Sequence, residues 1–294
     1  MAFSINPVKC SSKQLRRVAR GRLDKAVKAV QSGSSEGVHD ARKRLKELRA
    51  LLRLVREPLG AARFSALNQR LGDTARQLSS ARDAVAMVES WDALVRHEPA
   101  RFAAAAMASV RERLQARVSA GVGQPPERDS LIAALQQTAT EVAEWRIKGK
   151  GFSLFEEGLL RSYRAGRAAL RRVRCEPGDE ALHDWRKRVK DHGYHARLLH
   201  QAWPQHCNSW HASLSLLAEK LGDYQDLSVM QTLLAEQPEL FGDVLMRASI
   251  AEGISHRRVV LHHEALDLGR RLYAEKPSAL VARWALYWRV ARRA

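Results

Sequence analysis

The chain has 294 residues, and 50 lysines and arginines against 32 aspartates and glutamates give a formal net charge of +18 at pH 7. Because 45% of the residues are hydrophobic, the chain can bury a core, which excludes a mainly disordered protein. No apolar run approaches the roughly 20 residues of a membrane-spanning helix, the N-terminus shows no secretory signal, and three scattered cysteines are typical of a reducing compartment. A soluble cytoplasmic protein with a polyanionic partner is therefore expected.

In chain order, nearly every segment has the 3.6-residue period of an amphipathic helix and is rich in Arg, Ala, Leu, Glu and Gln. No segment shows the alternating pattern of a strand. Glycine and proline turn signals separate the segments at 32–34, 57–60, 98–99, 121–126, 148–151, 176–178, 203–204, 237–238 and 276–277. The sequence therefore predicts an all-α fold built from helical bundles.

An internal repeat organises these helices. Residues 35–57 recur as residues 179–201 with nine of 23 positions identical, at an offset of 144. Leu78 and Asp83 recur at an offset of 143 as Leu221 and Asp226. The chain is therefore interpreted as two copies of one helical module, with a first repeat at 1–148 and a second at 149–294.

Each copy of the repeated motif predicts one basic helix. Ser35 and Asp179 stand at the expected N-caps, and on one side of each predicted helix a histidine leads a row of cations. The first row contains His39, Arg42, Lys43, Lys46 and Arg53, and the second contains His183, Arg186, Lys187, Lys190 and Arg197. Leucines occupy the opposite side of the first helix, so each helix can bury an apolar face and present its cations to an anion.

Residues around the two rows extend the basic surface. The preceding helix of each copy contributes arginines at equivalent positions, namely Arg17 and Arg20 in the first copy and Arg161, Arg164 and Arg167 in the second. The positive end of the helix dipole disfavours the protonated form of His39 and His183. A neutral ring can still donate one hydrogen bond to a phosphate oxygen, or it can serve a structural role. Trp185 is expected to pack in the core.

At these residues the sequence resembles the CHAD family, whose motif is a histidine followed by basic residues at about +3, +7 and +10. In the first copy the motif is His39, Arg42, Lys46 and Arg49, and in the second it is His183, Arg186 and Lys190 with Gly193 at +10. The segments 78–85 and 221–229 match the later family element. The resemblance implies two tandem four-helix bundles, related by a pseudo-twofold axis around a shared basic groove or pore.

The resemblance also implies a function, namely binding of inorganic polyphosphate and recruitment to polyphosphate granules. From the motifs that the sequence lacks, neither catalysis nor a metal or other cofactor is expected. Many family members are fused to a triphosphate-tunnel domain with a Glu-x-Glu-x-Lys signature. That signature does not occur here, so a stand-alone CHAD domain is expected.

Two other classes of function stay open at this point. A net charge of +18 supports weak nonspecific binding of DNA or RNA, although single-strand binders interleave aromatic residues with their cations and only 6% of this chain is aromatic. An enzyme acting on polyphosphate is the less favoured alternative. The sequence has no phosphate-binding loop or nucleophile motif, and the basic rows would repel the Mg²⁺ that phosphoryl transfer requires.

Overall fold

The computed structural model describes residues 2–78, 83–99, 101–102, 104–120 and 127–293. The first part of the chain forms helices α1 (Ser11–Gln31), α2 (Ser35–Leu54), α3 (Arg56–Leu59), α4 (Ala61–Gln77), α5 (Asp83–His97), α6 (Ala104–Ala120) and α7 (Arg128–Ala143). The second part forms α8 (Glu156–Cys175), α9 (Asp179–Leu199), α10 (Pro204–Glu236), α11 (Val244–Leu272) and α12 (Pro277–Ala291). Short 3-10 turns lie at Gly151–Leu154, His200–Ala202 and Pro238–Phe241. No strand occurs in these described ranges, which confirms the predicted all-α class.

The two basic helices begin at residues 35 and 179, so both predicted N-caps are one residue too late. Ser34 caps α2, because its extended backbone lets Oγ accept a hydrogen bond from the Gly37 amide at 3.0 Å. Gly178 occupies the cap position of α9, and Asp179 is the first helical residue. The Asp179 carboxylate instead accepts a hydrogen bond from the Tyr224 hydroxyl at 3.1 Å, which ties α9 to α10.

The buried residues form two clusters, and each cluster draws on both halves of the chain. The first contains residues of α1, α2, α4, α7, α8, α9 and α12 with the N-terminal part of α10 and the end of α11. The second contains residues of α5 and α6 with the C-terminal part of α10 and most of α11. With 33 residues, α10 is about 50 Å long and passes through both clusters. The core is thus not divided into one separate bundle for each repeat. The boundary at 148/149 stays a prediction.

The helices of the two halves nevertheless pack together in corresponding pairs. Helices α1 and α2 pack against each other as α8 and α9 do, α7 packs on α1, and α12 packs on α8. Helix α2 also contacts α9 and α8. A Cβ built on Gly158 would stand only 1.8 Å from the Leu54 carbonyl oxygen, so glycine lets α8 approach the end of α2. The two halves therefore meet where α2 packs on α8 and α9, and they meet again where α5 packs on α10 and α11.

Within the described ranges, no helix is both long enough and apolar enough to cross a lipid bilayer.

Candidate anion-binding site

Three of the predicted cations from the two halves influence one another at the α2–α9 crossing. Loss of water around the ammonium group, together with the positive charges of Arg42 and Arg186, lowers the pKa of Lys46 to about 8. Part of the Lys46 side chain stays exposed to solvent, so a ligand can reach it. Because Arg186 belongs to α9 and Lys46 to α2, the two basic rows share one field of positive potential.

Backbone carbonyl groups orient the two arginines. Nη1 of Arg42 lies 3.5 Å from the carbonyl oxygen of Leu78 at the end of α4. Nε of Arg186 lies 3.5 Å from the carbonyl oxygen of Ala218 on α10. A Cβ on Gly222 would stand 2.8 Å from Nη2 of Arg186, so this glycine leaves space for the guanidinium group against α10. The segments with Leu78 and Leu221 therefore pack beside the basic rows.

Two further arginines of the rows make reciprocal ion pairs between the halves. Nη1 of Arg53 donates to Oδ1 of Asp191 at 2.9 Å. Arg197 donates to Oε1 of Glu47, and the two pairs exchange positions under the offset of 144. Arg53 and Arg197 are about 30% exposed, so they join α2 to α9 and still reach solvent.

The row on α9 lines an open groove of about 310 Å³ between α9 and α10. Arg186, Lys190 and Arg197 line it from α9, where Gly193 leaves a gap between them. His211 and Glu219 line it from α10. A groove with three cations and one carboxylate suits an extended anion.

The motif histidines occupy different environments. His39 is exposed in the second turn of α2. His183 is half-buried, and burial, followed by the charges of Lys187 and Arg186, lowers its pKa, so the ring is neutral at pH 7. Nδ1 of His183 is buried and has no hydrogen-bond partner within the described residues. The expected neutral form is therefore supported for His183.

The other predicted residues divide into exposed and partnered groups. Arg17, Arg20, Lys43 and Arg164 are exposed. Nε of Arg49 donates to Asn68 at 3.1 Å, Lys187 donates to Asp184 at 3.0 Å, and Arg161 donates to Glu57 and to the carbonyl oxygen of Arg53. Arg167 is half-buried on α8. The roles of these residues in ligand binding stay predictions.

The family model for the CHAD domain matches residues 13–235 of this chain. The chain belongs to the CHAD domain family. No curated protein matches the sequence significantly.

Two solved structures share the fold of this CHAD protein. The crystal structure of the CHAD domain from the plant Ricinus communis has a TM-score of 0.58 and 17% identity, and the alignment covers 93% of this chain and 95% of that one. PptA from Streptomyces chartreusis has a TM-score of 0.55 and 13% identity, with 97% and 100% of the two chains covered. At these identities the likeness concerns the fold alone.

The CHAD motif did not point to several charged residues that shape this site. Glu47 and Asp191 follow each motif histidine by eight residues and hold the two halves together. Asp223 on α10 lies within the field of Arg257 and Arg186, and burial, with help from Glu219 and Asp226, raises its pKa. Only the identical spacing of the two carboxylates in the repeat could have singled them out. Among the described residues, no group of three or more His, Cys, Asp or Glu could hold a metal ion.

Proposed function

We propose that this protein binds inorganic polyphosphate along α2 and α9 and does not catalyse a reaction. The observation that carries the proposal is the convergence of Lys46, Arg42 and Arg186 from both halves on one field of positive charge. The CHAD family is linked to polyphosphate binding in general. Arg42, Lys46, Arg186 and Lys190 form the centre of the proposed site, and the remaining predicted cations extend it.

The chemistry of the rows suits a phosphate polymer. Polyphosphate carries about one negative charge per phosphate and has no bases to recognise. Guanidinium groups bind phosphate oxygens with two parallel hydrogen bonds, whereas a lysine acts as a point charge. The low pKa of Lys46 reflects the loss of water first and the repulsion from Arg42 and Arg186 second, and an anionic ligand relieves that repulsion. Binding should therefore be strongest where the two rows approach each other.

We further propose a pseudo-twofold relation between the halves, so that equivalent cations face one groove. The reciprocal Arg53–Asp191 and Arg197–Glu47 pairs support it, because a twofold axis makes each contact occur twice with the partners exchanged. The corresponding packing of α7 on α1 and of α12 on α8 supports it too. A polymer of identical units fits such a symmetric site in either direction.

A binding role of this kind suits a protein recruited to polyphosphate granules or one that scaffolds other proteins there. We propose the non-catalytic role because the surplus of positive charge at the crossing opposes the approach of the divalent cations that phosphoryl transfer uses.

Nonspecific nucleic-acid binding is the alternative that the same charge supports. Trp185 on α9 is fully buried and so offers no stacking surface, while Tyr194, which lines the groove, is half-buried. A competition assay separates the two functions. Polyphosphate should displace labelled single-stranded DNA at equal phosphate concentration and fixed salt. DNA that resists displacement would contradict the polyphosphate proposal.

A further inference from the structure

A second, smaller cavity lies beside Asp191, where α2, α8 and α9 meet. Its volume is about 210 Å³, and four arginines line it, namely Arg53, Arg56, Arg161 and Arg188. Phe64 contributes apolar lining. Arg42, Lys46, Arg186 and Lys190 do not line it. The cavity is therefore distinct from the centre of the proposed polyphosphate site, although Arg53 and Arg161 belong to both sets.

The carboxylates at this cavity balance only half of its arginines. Asp191 pairs with Arg53, and Glu57 pairs with Arg161. Arg56 lies over the ring of Phe64 with its Cζ 5.1 Å from the ring centroid. In the described part of the chain, neither Arg56 nor Arg188 has a carboxylate oxygen within the 4.0 Å of an ion pair. The charge of Arg188 acts on Asp191 and Asp184 from a greater distance, but among the described residues neither guanidinium group donates to a carboxylate.

The equivalent place in the first half is closed. The residue equivalent to Asp191 is Glu47, which has no exposed surface and contacts Arg22, Arg44 and Arg197. The N-terminal segment covers this cluster, with Phe3 stacked under the guanidinium groups of Arg22 and Arg197 at 5.4 and 5.0 Å. Two arginines are therefore sheltered by an aromatic ring of the same chain.

The second half lacks both of these closing features. The position equivalent to Arg22 is Gly166, and Tyr273 packs directly against it. No described segment takes the place of Phe3, and the Asp191 side chain is 14% exposed where that of Glu47 is 0% exposed. Arg44 and Arg197 of the first cluster correspond to Arg188 and Arg53 here, whereas Arg22 and the cover have no counterpart, which leaves a cationic cavity open to a ligand.

We infer that this cavity is a second anion site that binds a compact phosphate anion of the diphosphate class. Two unpaired guanidinium groups offer forked donors that match phosphoryl oxygens, and the limited volume excludes a folded polymer. The phosphoryl group comes either from free diphosphate or from the end of a polyphosphate chain. The inference does not depend on polymer binding by the α2 and α9 rows.

Titration calorimetry with diphosphate at fixed ionic strength tests the inference. The unmodified protein should bind diphosphate, and Arg56→Ala/Arg188→Ala should weaken that binding at least tenfold. Arg171→Ala/Arg174→Ala removes the same charge from exposed positions of α8 outside the cavity and should change it less than twofold. Arg188→Glu alone, at an exposed side chain, gives a second measurement, with circular dichroism to verify that each variant folds.

Two further measurements are needed. One distinguishes free diphosphate from polyphosphate chain ends as the ligand, and the other tests this inference separately from the proposed polymer binding. Displacement of diphosphate by ordinary polyphosphate but not by end-capped polyphosphate assigns the cavity to chain ends. Failure of both to displace it assigns the cavity to free diphosphate. No binding of diphosphate by the unmodified protein, or equal binding by the cavity and control variants, overturns the inference. Lys46→Ala/Arg186→Ala should weaken polymer binding and leave diphosphate binding unchanged, so failure of one proposal is visible separately from failure of the other.

Discussion

Arg53 on α2 donates to Asp191 on α9 at 2.9 Å, and the residues 144 positions away, Arg197 and Glu47, make the same contact in reverse. Each half therefore supplies one carboxylate and one guanidinium group to the pairs between the halves. The two pairs fix how the basic helices cross, and the crossing brings Lys46 within the field of Arg186. In this protein the ion pairs position the cations that we propose to bind polyphosphate.

Replacement of Glu47 by alanine should strongly destabilise the fold. Glu47 has no exposed surface, and its loss leaves the guanidinium group of Arg22, only 3% exposed, without its carboxylate. Breaking a buried pair on one side costs about 3–5 kcal/mol of unfolding free energy. Glu57→Ala is the matched control, because the half-exposed Glu57–Arg161 pair contributes about 0–1 kcal/mol. Urea unfolding measures both values, and equal losses would contradict a structural role for Glu47.

The affinity for polyphosphate should decrease as the pH rises above 8. The pKa of Lys46 is about 8, and bound phosphate favours the charged ammonium group. The attraction is therefore complete below pH 8 and is lost as the pH rises past the pKa of the bound form, with a slope of at most about tenfold per pH unit. Lys46→Arg keeps its charge and should flatten the profile between pH 7.5 and 9.5. Parallel profiles of the two proteins would show that Lys46 does not contact the ligand.

Acid should destabilise the protein through its buried histidines. His195 is fully buried, its Nε2–H donates to the carbonyl oxygen of Ala50 at 2.8 Å, and burial lowers its pKa to about 4. The unfolded chain binds a proton below about pH 6.5, whereas the folded chain does so only below about pH 4. Stability is therefore lost between these values, by up to about 3 kcal/mol for this residue.

His195→Gln keeps a donor for Ala50 and removes the titration. Unfolding experiments at pH 7 and pH 4.5 should show a smaller loss of unfolding free energy in this variant than in the unmodified protein. His192, which is also buried with a pKa of about 3, adds a similar dependence to both proteins. Identical losses would exclude His195 as a source of acid sensitivity.

Restoring the missing cation of the second copy should strengthen polymer binding. Gly193 stands where the first copy has Arg49, and a Cβ built there would meet His211 and Leu214 at an ordinary distance of 3.7 Å. Gly193→Arg projects into the groove between α9 and α10 and should raise the affinity about fivefold, as one exposed ionic contact does. Gly193→Ala is the control. It should stabilise the helix by about 1 kcal/mol and leave affinity unchanged.

The sequence was sufficient for the helical class and for the two basic helices, because helical period and duplication are local patterns. How these helices pack could not be predicted, because α10 contributes to both buried clusters, whereas α4 contributes to the first and α5 to the second. Each cluster therefore combines helices that are far apart in the sequence. The caps were misplaced by one residue, since Ser34 and Ser35 are chemically identical and only the backbone decides between them.

The candidate site was predictable only in part. Periodicity placed Arg42 and Lys46 on one side of α2, and Arg186 and Lys190 on one side of α9. It also predicted that Arg53 and Arg197 would be free to bind the ligand. The structure gives those two arginines carboxylate partners on the opposite helix. Such pairs depend on how the helices cross, which no local pattern contains. Arg56 and Arg188 were overlooked because they lie outside the rows.

The central claim is that the position of these cations, and not the total charge, creates the polyphosphate site. The most direct test is a binding isotherm for long-chain polyphosphate with Arg42, Lys46, Arg186 and Lys190 all changed to alanine. The matched control changes Lys148, Arg171, Arg174 and Arg289, which are exposed and lie outside the rows. We predict a loss of at least about 100-fold for the first variant, as several charge-assisted contacts disappear, and less than about threefold for the control. Equal losses in the two variants would show that polyphosphate responds only to net charge, which would contradict a site at the α2–α9 crossing.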